Sequence, residues 1–184
     1  MNHHFAPLIL SSLLLFPATN SFAASEVPER ANLPKESLWQ LNHIYPTDSA
    51  WEQELTKIPA KIQAVQSFKV NLGASTETIL QCLKARDDLN QNLSKIYAYA
   101  RMYLDTDQTN GQYQTMQGKA QSILGDASAA TSFIEPELLS LPDGILQKYS
   151  TDPALKEYQV YFKELARQKA HTLSPEGEIS FYSK

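Results

Sequence analysis

The 184 residues carry 16 basic and 20 acidic side chains, a net charge of −4, with 42% hydrophobic and 20% charged residues. That balance suits one domain of ordinary size with a buried core and excludes wholesale disorder. The basic residues are scattered along the chain, which excludes the clustered positive surface that a nucleic-acid binder needs.

Residues 5–18 (FAPLILSSLLLFPA) are almost wholly apolar, and no Asp, Glu, Lys or Arg occurs before Glu26. Such a run is too short for a spanning helix, which needs roughly 20 residues. Ser21-Phe22-Ala23 then puts small residues at the −3 and −1 positions of a signal-peptidase site. Residues 1–23 therefore read as a secretory signal cut after Ala23, and the mature protein is expected in the periplasm or outside the cell, with no membrane attachment. The alternative is a buried core helix. Met1-Asn-His-His supplies no Lys or Arg to the start of this signal. The single cysteine, Cys82, has no partner for an intramolecular disulfide and sits in a helical apolar pattern, which predicts a buried, inert thiol.

Residues 24–38 are polar with Pro28 and Pro34, an expected extended leader, and a 39–184 domain follows. Its first segment places apolar groups at Trp39, Leu41, Ile44 and Tyr45. Thr47 or Asp48 then caps a helix whose stripe is Trp51, Leu55, Ile58, Ile62 and Val65, with a kink or break expected near Ile58 because Pro59 lies inside it. A turn at 72–75 leads to a second helix over about 76–105, carrying Ile79, Leu83, Leu89, Leu93, Ile96, Ala100 and Tyr103. After it, Asp107 or Thr109 is expected to cap a third helix over about 110–134, with the stripe Tyr113, Met116, Ala120, Leu124, Ala127, Thr131 and Ile134.

Glu135-Pro136 and Pro142-Asp143-Gly144 break the pattern, leaving 137–141 as a short turn or helix fragment. Asp152-Pro153 opens a further helix with Leu155, Tyr158, Phe162 and Leu165 on one face. Ser174-Pro175-Glu176 is a good helix start, yet the sequence ends less than three turns later, which reads as an interrupted helix. No alternating strand of convincing length and no internal repeat is evident. The expected fold class is all-α, with four to five amphipathic helices.

Chemistry is sparse. After removal of the signal only His43 and His171 remain, 128 positions apart, and neither lies in a His-Glu-x-x-His pattern, so no metal or catalytic residue is assigned. Asp87-Asp88 reads as a solvated helix face, and Asp105 with Asp107 as helix-end chemistry rather than a calcium loop. Tyr97, Tyr99, Tyr103 and Tyr113 span both long helices and cannot all share one narrow stripe. They either pack with satisfied hydroxyls or form a wall that faces peptide or another domain.

Four stretches in order carry a family resemblance: WQLNHIYP at 39–46 followed by DSAWEQEL at 48–55, LSKIYAYARMYLDTDQTN at 93–110, ATSFIEPELLSL at 130–141, and YQVYFKELARQKAHTLSPEGE at 158–178. Together they resemble the N-terminal region of the oligoendopeptidase F family, zinc metallopeptidases related to thimet oligopeptidase. The resemblance implies a helical lobe forming part of the wall of a closed peptide-binding chamber. It also implies that zinc belongs to a C-terminal domain, on a His-Glu-x-x-His helix that no residue here matches. The expectation is an N-terminal piece of an exported zinc oligoendopeptidase, inactive alone and without a cofactor of its own. Its partner would be a missing or separately encoded catalytic domain, with an exposed apolar patch to receive it, and its peptide contacts at most weak. The alternative is a stand-alone helical module that binds peptide or protein. The signal departs from a mostly cytoplasmic family, and Gly177 replaces an acidic run expected after Ser-Pro-Glu.

Overall fold

The computed structural model describes residues 30–171, so the expected signal with Ala23 and the helix start expected at Ser174 lie outside the described residues. The chain divides into two compact units, Met1–Leu38 and Trp39–Lys184. In the first, the part of the expected extended leader that is described makes two 3-10 turns, Arg30–Asn32 and Lys35–Ser37, on either side of an extended Pro34.

The second unit is all-α. It opens with a 3-10 turn, Leu41–His43, that buries Leu41 and Tyr45 while Trp39 stays half exposed. Helix α1 (Asp48–Gln66) starts where Thr47 Oγ1 accepts from the Ala50 amide at 3.1 Å. Trp51, Ile58, Ile62 and Val65 are buried on one face and Leu55 is partly buried. The helix runs unbroken past Pro59, so of the kink or break expected near Ile58 the break does not occur. Pro59 is exposed, so its ring points away from the packed face. It forfeits only the bond to the Leu55 carbonyl, while buried residues anchor the helix on both sides.

A 3-10 turn, Leu72–Ala74, occupies the expected turn. A Cβ at Gly73 would meet Leu141 Cδ2 at 2.6 Å, so glycine lets the chain pass close to the 141 region. Helix α2 (Thr76–Thr106), capped by Ser75, is the central element: it packs along α1 and also along α3 (Gly111–Thr131), which itself meets α1. It buries Ile79, Cys82, Leu83, Leu89, Leu93, Ile96, Tyr99 and Ala100 in the three-helix core. Cys82 is fully buried, and loss of hydration pushes its thiol up to about 11.

The cap of α3 is Asn110, whose Oδ1 accepts from the amides of Gln112 and Tyr113 at 2.9 and 3.3 Å. Asp107 and Thr109, expected there, instead bond to each other: Asp107 Oδ1 accepts from the Thr109 amide and hydroxyl, which holds its carboxyl below the usual range. The third helix ends at Thr131 rather than near 134. Pro136 cannot continue a helix through Ser132 because its ring would clash with that carbonyl. It is instead accommodated in the first turn of α4 (Ile134–Leu139), where its missing donor has no cost.

A five-residue helix, α5 (Ile145–Tyr149), follows Gly144, whose φ of 82° favours glycine. Asp152 then caps the 3-10 segment Pro153–Tyr158, with Oδ1 accepting from Ala154 N at 2.9 Å, and α6 (Gln159–Lys169) continues from it. The full expected stripe, Leu155, Tyr158, Phe162 and Leu165, is buried. With α5 folded back against α6, these elements form a C-terminal hairpin in which α6 packs on α4 and the 3-10 segment on α2. No strand occurs among the described residues, and no helix of them is long and apolar enough to cross a membrane.

Candidate functional site

Three of the four tyrosines singled out from sequence converge. Tyr45, Tyr99, Tyr103 and Tyr113 form a stack of contacting rings, with centroid separations of 5.4, 4.8 and 5.0 Å between successive members. The first two contacts are edge-on, the arrangement ring quadrupoles favour. Tyr99 is 1% exposed, so it belongs to the core and cannot present itself to a peptide. Tyr103 and Tyr113 are half-buried at the outer end of the stack. Tyr97 is also half-buried but is not a member of it.

The sequence reading missed Asp48 as the hub of this region. Tyr99 Oη donates to Asp48 Oδ1 at 2.9 Å, and Gln112 Nε2 donates to Asp48 Oδ2 at 2.8 Å. One carboxylate thereby joins the start of α1, the end of α2 and the start of α3. Burial is the main cause that raises the Tyr99 pKa, with the bonds to Tyr103 and Asp48 adding to it. Nearby, Trp51 Nε1 donates to the Ile96 carbonyl at 2.9 Å, which satisfies the indole inside the core. Asp48 is 51 positions from Tyr99 and Trp51 is 45 from Ile96, so no local spacing announces either contact.

Between α1 and α3 lies a cleft of about 340 Å³, lined by Asp48, Trp51, Glu52, Gln112, Thr115, Met116 and Lys119. Its charged rim is closed on itself, since Lys119 pairs with Glu52 at 2.9 Å. No nucleophile and base are brought together there. The arrangement holds helices in register.

A second polar cluster ties the C-terminal hairpin to α2. Arg86 stacks over the Tyr161 ring at 5.1 Å and bonds Asp87, and Tyr158 Oη donates to Asp87 Oδ2 at 2.8 Å. Asp88 pairs with Lys61 of α1. The Asp87-Asp88 face expected to be merely solvated is therefore half exposed but engaged in cross-helix contacts. His43 and His171 are both exposed. Among the described residues no group of three or more His, Cys, Asp or Glu is placed to hold a metal ion.

Comparison with known proteins places this helical unit. A family model described as Oligopeptidase F matches residues 137–179. Over 156 residues the chain is 30% identical to Oligopeptidase PepF of Bacillus subtilis (strain 168), covering 84% of this chain and 23% of that protein. It is 32% identical over 150 residues to Group B oligopeptidase PepB of Streptococcus agalactiae serotype III (strain NEM316), covering 81% of this chain and 25% of the relative. The chain matches the N-terminal region of the oligoendopeptidase F family. The solved oligoendopeptidase-F from Enterococcus faecium superposes with a TM-score of 0.59 at 27% identity, over 71% of this chain and 26% of that one. A putative peptidase from Chlamydophila abortus shares the fold, with a TM-score of 0.68 at 23% identity, over 86% of this chain and 27% of the other. The chain thus spans about a quarter of the length of the curated relatives it matches.

Proposed function

We propose that this chain is the helical N-terminal lobe of an exported oligoendopeptidase F-type zinc peptidase, supplying wall rather than catalytic groups. The observation that carries the reading is the match of more than four-fifths of this chain to about a quarter of each peptidase relative. The sequence holds no His-Glu-x-x-His, so zinc and peptide hydrolysis belong to the rest of such a peptidase. The lobe's contribution is rigid placement: Asp48 and the tyrosine stack fix three helix ends against one another.

The test is reconstitution. Purified chain with zinc should leave a quenched fluorescent peptide uncut. The same chain mixed with a relative's polypeptide that lacks its own first quarter should restore chelator-sensitive cleavage. Zinc-dependent cleavage by the chain alone would overturn the reading. Export is read from the first 23 residues, and the mature mass should begin at Ala24.

A second reading, a stand-alone helical binding module, draws on the surface. Among the described residues the exposed large hydrophobics are Trp39, Val70 and Val160, far apart in sequence, and the stripes of the long helices are buried or partly buried. A lobe that covers its own core can fold without a catalytic partner. A cooperative, monomeric unfolding transition without hydrophobic-dye binding would favour this module. Dye binding and self-association would favour the dependent lobe.

A further inference from the structure

We draw no further inference here: the strongest candidate, the exposed outward strip of small residues on α3 formed by Gly111, Gly118, Ser122, Gly125 and Ala129, carries nothing because no feature of the structure shows what covers it.

Discussion

Gln117 is the one polar side chain buried in the core among the described residues, and neither its Nε2 nor its Oε1 has a hydrogen-bond partner. A buried amide without partners costs desolvation that nothing returns. Met is close in shape and carries no such penalty. Gln117→Met should therefore stabilise the fold by about 1 kcal/mol, read as a higher denaturant midpoint with an unchanged slope. A lower midpoint would mean that the amide is satisfied in solution. Sequence periodicity could not flag this residue, because Gln117 lies between the expected core positions Met116 and Ala120 and looks like ordinary helix surface. The same limit hid Asp48. As a helix-start acid it was legible, but its bonds to Tyr99 and Gln112 cross 51 and 64 positions, and only tertiary packing brings them together.

At the scale of elements, α1 shows why a breaker residue need not break a helix. Pro59 removes one donor and crowds one turn, which local rules translate into a kink or break. Four buried side chains of the same helix, Trp51 and Ile58 before it and Ile62 and Val65 after it, hold the rod continuous. Each such burial stabilises by roughly 1.5–3 kcal/mol, so together they outweigh the local penalty. Because Pro59 is exposed, Pro59→Ala should restore the bond to the Leu55 carbonyl without creating a cavity. Against that gain stands the extra freedom the unfolded chain recovers, roughly 0.4–1 kcal/mol. The net expectation is a stabilisation of about 2–2.5 kcal/mol, the helix-interior cost of proline less that freedom, visible as a raised thermal midpoint. An unchanged or lowered midpoint would show that the helix is already relaxed around the ring. Where stripes were regular, as at Leu155, Tyr158, Phe162 and Leu165, the buried face followed the sequence closely. The short helices at 134–139 and 145–149 were harder to place, the first expected only as a fragment at 137–141, because two buried residues each give no period to read.

At the scale of the whole second unit, two tyrosine–carboxylate bonds join elements distant in sequence. Tyr99 to Asp48 closes the three-helix end, and Tyr158 to Asp87 fastens the C-terminal hairpin to α2. Burial first, then the bond to Asp87 and its charge, pushes Tyr158 up from 10.0 to about 12, and Tyr99 is raised for like reasons. A phenol with a raised folded pKa binds its proton more tightly in the native state than in the unfolded chain. Its stabilising contribution is complete below the unfolded value of 10.0 and falls away as pH climbs toward about 12. The protein should thus hold a flat stability through neutral pH and lose it steeply in alkali above about 10, with both links failing in one transition. Phenolate absorbance from Tyr99 and Tyr158 should rise only together with loss of helical circular dichroism. In Tyr158→Phe the Asp87 carboxylate keeps Arg86 and solvent, so the neutral-pH loss should be small. Its alkaline slope should flatten, because one of the protons held more tightly in the folded state is gone. If that slope matched the parent's, the hairpin would be held by the apolar burial of Leu155, Phe162 and Leu165 alone, with the hydroxyl bond contributing nothing to the pH response.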